Sequence, residues 1–192
     1  MLKDLILQNR SCRRFHQESA VEGTMLCELV DLARLSASGA NRQPLKFALS
    51  TAPAQNARIF PCLHWAAYLK EWAGPGEGER PAAYVIILGD KEIADNFGVD
   101  HGIAAQSIML GAVERGLRGC IMSSIERGKL CEILGLPDRY EILLVLALGS
   151  PAETVVVDAV AADENIRYWR DAESVHHVPK RSLEDLILAE WQ

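Results

Sequence analysis

Arg10, Ser11, Arg13 and Arg14 place three guanidinium forks and a hydroxyl within five residues. A guanidinium pairs bidentately with phosphate through charge-assisted hydrogen bonds, so such a run can hold a dianion. It can equally be a solvated basic turn. Lys180-Arg181, preceded by His177-Val178-Pro179, is a second cationic cluster, open to the same two readings. Between them, Ser38-Gly39-Ala40-Asn41-Arg42-Gln43-Pro44 offers hydroxyl and amide side chains around a glycine. Such amides can grip the polar edge of a planar heterocycle, or simply bond their own backbone in a turn.

Other chemistries find less support. There is no GxSxG elbow for a nucleophilic serine, and no local signature poises a cysteine beside a histidine. Neither GxGxxG nor GxxxxGK[ST] is present, so a phosphorylated ligand would be met by separate cationic segments converging on it. His176 and His177 stand together in a charged stretch that suits surface or packing roles better than a metal site. The five cysteines, Cys12, Cys27, Cys62, Cys120 and Cys131, are scattered and odd in number, which predicts reduced thiols rather than disulfides or zinc.

The elements that must position these groups follow from periodicity. Met1–Gln8 predicts a short amphipathic helix, and Glu22–Arg34 a second one with Met25, Leu26, Leu29, Val30 and Ala33 on one face. Phe47–Ser50 and the apolar run Tyr84–Leu88 predict strands, the second buried. Cys62–Trp72 reads as helical, and Gly74–Pro81 as a surface loop or a lid. Asp100, an expected N-cap, opens a long helix ending near Gly116, uncharged from Gly102 to Val113 and therefore covered on every side. Gly119–Met122 and Glu141–Leu148 predict strands on either side of a helix over Ile125–Leu134. After Pro151 the chain reads as polar and irregular, with a final helix over Leu183–Trp191. The class is α+β with about four or five strands.

With 192 residues, 49% of them hydrophobic, the chain suits one domain with a sizeable core. The net charge of −6 and pI near 5.4 argue against general binding to nucleic acid or an anionic membrane. No signal-peptide core and no apolar stretch long enough to span a bilayer is seen, so a cytoplasmic protein is expected.

Taken in order, these segments resemble the FMN-dependent nitroreductase family, in particular its small single-domain members. Asn9-Arg10-Ser11-Cys12-Arg13-Arg14-Phe15 is similar to that family's N-terminal Arg-Arg-Ser-x-Arg-x-Phe element. Ser38-Gly39-Ala40-Asn41-Arg42-Gln43-Pro44 is similar to its Ser-x-x-Asn-x-Gln-Pro loop. The helix Asp100–Gly116 with Gln106, Gly116-Leu117-Arg118-Gly119-Cys120, Leu148-Gly149-Ser150-Pro151 and Lys180-Arg181 resemble further family elements, in order. The resemblance covers nearly the whole chain.

It implies a central, mainly antiparallel sheet flanked by helices, with the long buried helix at a homodimer interface. It also implies one FMN-binding domain over 1–192 whose segment 152–192 extends toward the partner subunit. FMN would take hydride from NAD(P)H at N5 and pass electrons to a nitroaromatic or quinone-type acceptor in a ping-pong cycle, with no catalytic side chain. A non-enzymatic flavin-binding or redox-sensing homodimer is the alternative. Arg10, Ser11 and Arg13 would meet the phosphate, ribityl chain or pyrimidine edge, with Arg13 near the N1–C2 carbonyl. Ser38, Asn41 and Gln43 would reach the ring from the partner chain; Ile121, Met122 and Ser123 would lie along it, and Lys180 and Arg181 would close on the phosphate. Two departures stand out: Asn9 replaces the commoner first Arg, and Leu45 a frequent aromatic. Trp65, Trp72 and the Gly74–Gly78 loop are further candidates for a pocket wall.

Overall fold

The computed structural model describes residues 1–191. Its centre is a four-stranded antiparallel sheet in the order β1-β2-β4-β3, made of β1 (Leu45–Ser50), β2 (Ala83–Asp90), β3 (Arg118–Met122) and β4 (Tyr140–Gly149). Every residue of β2 is buried, which is why an antiparallel strand reads as an unbroken apolar run. Ala83, Val85 and Ile87 pack on one side, Tyr84, Ile86 and Leu88 on the other. A bulge in the β2–β4 register beside Ile87 and Leu88 sets Ile142 and Leu144 on opposite sides despite their even spacing.

One face carries α2 (Gly23–Arg34) and α4 (Asp100–Glu114), the other α3 (Pro53–Ile59) and α5 (Arg127–Leu134). α2 and α4 cross closely at Gly111, where a Cβ would lie 2.3 Å from Leu32 Cδ1. A Cβ on Gly119 of β3 would meet the Ala147 carbonyl oxygen at 2.3 Å. The short α1 (Leu2–Gln8) leads to the basic run, whose Ser11 bridges Gly119 in parallel and whose Phe15 bridges Pro151.

Several expectations need correction. Cys62–Trp72 is not a helix: a 3-10 turn ends at Cys62, Leu63 bridges Ile125, and Ala66 has φ +40°. Trp65 instead inserts into the core. The polar region after Pro151 is not irregular. β5 (Val155–Val160), β6 (Trp169–Arg170) and β7 (His176–Arg181) form a second sheet, β5-β7-β6, so the described residues hold seven strands where four or five were expected. Among the described residues no final helix forms; Leu183–Leu186 make a single turn, and Leu183, Leu186, Leu188 and Trp191 stay exposed, with no surface of their own chain to bury them. Within one chain α4 leaves a stripe of Val99, Gly102 and Gln106 facing outward, in keeping with a helix expected either in the core or at a subunit interface. Asp100 is the first residue of α4, not its cap. The Gly74–Pro81 loop is bolted down: Gln17 accepts from Gly78 and Arg80 N–H, and Arg14 pairs with Glu79 at 2.5 Å.

Candidate functional site

The basic run lies against β3 as one extended segment. Cys12 N–H donates to the Gly119 carbonyl at 2.9 Å, fixing the backbone. The Arg13 amide donates to the Glu153 carboxylate, so a buried acid secures the run from the far side. Arg13 itself is only 8% exposed. Its guanidinium donates to the Ser11 carbonyl at 3.3 Å and to His176 Nε2 at 3.1 Å, with the Tyr168 ring 4.9 Å away over its face. For His176 to accept, its ring must be neutral. Burial and the Arg13 charge push its pKa down to about 4, in keeping with that role.

Arg10 donates to the Ile6 carbonyl at 2.9 Å, while its Nε is buried without a partner. Burial lowers its pKa, the signature of a cation stripped of water with no counter-charge supplied. Among the described residues, no carboxylate lies within 4.0 Å of the guanidinium of Arg10, Arg13 or Arg118. Three uncompensated guanidiniums around one segment of an acidic protein fit an anionic ligand, and a phosphorylated cofactor supplies one. The thiols beside them are poor nucleophiles: burial pushes Cys12 up to about 12 and raises Cys120 as well. The cluster therefore binds and orients.

The Ser38–Pro44 loop is held by a different part of α4. Ser38 Oγ and the Gly39 amide both donate to the Asp100 carboxylate, at 2.6 and 2.9 Å. Ser38 Oγ accepts in turn from the Gln43 amide at 3.0 Å. Ala40, Asn41 and Gln43 have φ near +50°, a left-handed conformation costly for non-glycine residues unless it is enforced. The clamp of Asp100 enforces it and leaves Asn41 and Gln43 exposed. Asn9 reaches the same helix at Gln106, 3.4 Å away. Six residues separate Asp100 from Gln106, about 9 Å along the axis and about 120° around it.

The candidates thus fall into three groups. Arg10, Ser11 and Arg13 share the β3 edge with Ile121, Met122 and Ser123; of these, Ser11, Ile121 and Ser123 are exposed and Met122 is buried. Ser38, Asn41 and Gln43 sit at the start of α4. Lys180 and Arg181 are exposed at the far end of β7, about 13 Å or more along the strand from His176. Trp65 and Trp72 pack in the second core, with the Arg170 guanidinium 4.2 Å over Trp72.

Sequence reasoning missed four partners. Asp100 was visible only as a capping acid, and His176 only as one of two adjacent histidines in a charged stretch. Glu153 and Tyr168 carried no local signal, because their contacts with the basic run span about 140 residues or more of chain. Near them, His177 lies between Asp158 at 2.9 Å and Asp171 at 3.1 Å, which hold its pKa above the usual value.

The fold is shared with known structures. A nitroreductase family protein from Streptococcus pneumoniae superposes with a TM-score of 0.67 at 14% identity, over 80% of this chain and 92% of that one. An FMN-dependent nitroreductase from Clostridium difficile gives 0.61 at 22% identity, over 87% and 91%. An NADPH:FMN oxidoreductase from Vibrio harveyi, complexed with NAD+, gives 0.61 at 21%, over 79% and 69%. Residues 6–150, which run from α1 past the end of β4, match the sequence model of the Nitroreductase family, and the chain belongs to that family.

Proposed function

We propose that this nitroreductase-family chain is an FMN-dependent oxidoreductase, working as a homodimer that takes electrons from NAD(P)H and gives them to a small organic acceptor of the nitroaromatic or quinone type. The observation that carries the reading is the extended Arg10–Arg13 segment on β3, with guanidiniums at both ends and no carboxylate paired to either. Bound FMN supplies the redox chemistry, accepting hydride and releasing electrons to the acceptor.

The chain's residues supply binding and orientation. Arg10, with Lys180 and Arg181 brought in from β7, holds the phosphate. Ser11 meets the ribityl chain, and Ile121, Met122 and Ser123 line the ring. Arg13 keeps a cation at the pyrimidine edge, where charge accumulates as electrons arrive, and neutral His176 holds it there without competing for that charge. Ser38, Asn41 and Gln43 complete the site from a second copy, and segment 152–192 reaches toward that copy. Within one chain the loop and the basic run sit on different sides of α4, which favours a site built from two chains.

The test is the visible spectrum of the purified protein after loading with FMN and removing the excess. Retained flavin bands that bleach with NADH or NADPH under nitrogen, and return on adding a quinone, are the expected result. A protein that keeps no flavin overturns the reading. Retained flavin that neither donor bleaches would leave a flavin-binding protein without this activity.

A further inference from the structure

A pocket of about 230 Å³ lies between α3, the start of β2 and the end of the loop that precedes it. It shares no residue with the basic run, the Ser38–Pro44 loop or β7. Tyr84 forms part of its lining, on the side of β2 that faces α3, and is 0% exposed. The Tyr84 hydroxyl finds no hydrogen-bond partner among the described residues, and neither does the buried Nε of Arg80 in the same lining. Buried donors are rarely left unpaired, so a group that accepts hydrogen bonds belongs in this pocket. The pocket's own acceptors are already taken. Asn56 accepts from Ser50 Oγ at 2.6 Å and donates to the Ala82 carbonyl at 2.7 Å. Gln17 Oε1 accepts from the Gly78 and Arg80 amides. Glu77 is engaged at both oxygens, by Gln17 Nε2 and by Arg80 Nη1, each at 2.8 Å.

The chemistry of the missing acceptor follows from what surrounds it. The Phe60 ring, 4.4 Å from the Arg80 guanidinium, fixes the plane of that group. Glu77 meets Nη1, which is not part of the edge formed by Nε and Nη2, and that edge pairs with a planar carboxylate through two parallel N–H donors. Burial pushes the pKa of the Tyr84 phenol up and the Arg80 charge pulls against it, so the phenol stays a donor within reach of the guanidinium. The remaining walls, Pro53, Ala57 and Pro81, are apolar and would be left bare by a phosphate. The volume is below the roughly 300 Å³ at which pockets begin to take drug-sized ligands, so the occupant has one ring or a short chain. We infer that this pocket binds a small organic carboxylate, which accepts from Arg80 Nε and Tyr84 Oη while its hydrocarbon body packs on Pro53, Ala57 and Pro81. The site stands independently of the FMN reading.

The experiment titrates the full chain with sodium benzoate at neutral pH by isothermal titration calorimetry, with benzamide as the uncharged probe of the same shape. Wild type should bind benzoate, and benzamide about tenfold or more weakly, because the amide brings no charge. Tyr84→Phe should weaken benzoate binding about tenfold or more, the scale of one hydrogen bond to a charged group. Its thermal midpoint without benzoate should match wild type, since the hydroxyl it loses has no partner to leave behind. Arg80→Lys, which keeps the charge and loses the planar edge, should weaken benzoate to a similar degree. A wild type that takes up no benzoate at tens of millimolar overturns the inference and leaves water alone in the pocket. Benzoate binding that neither substitution moves overturns it too, by putting the ligand elsewhere on the protein. Benzamide bound as tightly as benzoate refutes the carboxylate.

Discussion

At the scale of single residues, the site depends on groups that hold others in place. Arg13 is fixed by the Ser11 carbonyl, by His176 and by the Tyr168 face, so its long side chain loses its freedom on folding instead of on binding. Replacing Arg13 with Gln should weaken FMN retention at least tenfold and lower the flavin reduction potential, read by dye-equilibrated titration. An unchanged potential would place Arg13 away from the ring. Asp100 is the other holder, nearly buried and accepting from both Ser38 Oγ and the Gly39 amide. Asp100→Ala leaves two donors unpaired and frees three left-handed residues, and should cost about 2 kcal/mol in denaturant unfolding. It should also weaken flavin binding, though the residue touches no flavin. Full retention of affinity would show that the loop keeps its shape unaided.

At the scale of elements, the β5-β7-β6 sheet is where acidity should act first. The pKa of His176 is about 4 in the folded chain and near 6.5 when unfolded, so below pH 6.5 the unfolded state takes up a proton that the folded state refuses. Stability should fall as pH drops from 6.5 toward 4, by up to about 3 kcal/mol at the lower limit. His177 works in the opposite sense: its raised pKa adds stability below 6.5 that is lost as pH rises through the folded value. Thermal unfolding across this range separates the two. His176→Phe should flatten the acid loss, whereas His177→Phe should lower stability by a nearly constant amount below pH 6.5 and remove the decline that sets in as pH rises above it. Where α2 meets α4, Gly111→Leu should destabilise by about 2 kcal/mol or more, since even a Cβ there would strike Leu32.

At the scale of the whole molecule, the outward stripe of α4 is uncovered within one chain. Val99 is 72% exposed, and Gly102, Ile103, Gln106 and Ser107 line a shallow groove beside it. Leu2 and Ile6 of α1 and the apolar tail side chains are also uncovered. Apolar exposure of this kind marks an association surface. Sedimentation equilibrium of the full chain should give a dimer. Ile103→Arg, which puts a charge into the α4 groove, should shift it to monomer and release flavin in the same titration. A monomer that still holds FMN would show that each chain builds its own site.

The sequence by itself determined much of this protein, and the reasons are local. Continuous apolar runs mark β2 and β4; 3.6-residue spacing marks α2, and an uncharged run rich in small residues marks α4. The basic run, the Ser38–Pro44 loop and the Gly116–Cys120 turn could be read as motifs because each is contiguous. Only the tertiary structure decided what lies beyond such windows. The Leu183–Trp191 tail has the spacing of a helix but finds no surface to pack on within its own chain, so pattern alone misled. Among the strands after Pro151, β5 carries an apolar β-branched run, Val155–Val157, that the sequence did offer, whereas two-residue β6 and polar β7 carry no such run and form through their neighbours. Above all, the partners that set the state of Arg13, namely Glu153, Tyr168 and His176, lie about 140 residues or more away along the chain. A guanidinium's pairing depends on what the fold sets beside it, so the sequence could name the cations and the structure alone could show which lack a counter-charge.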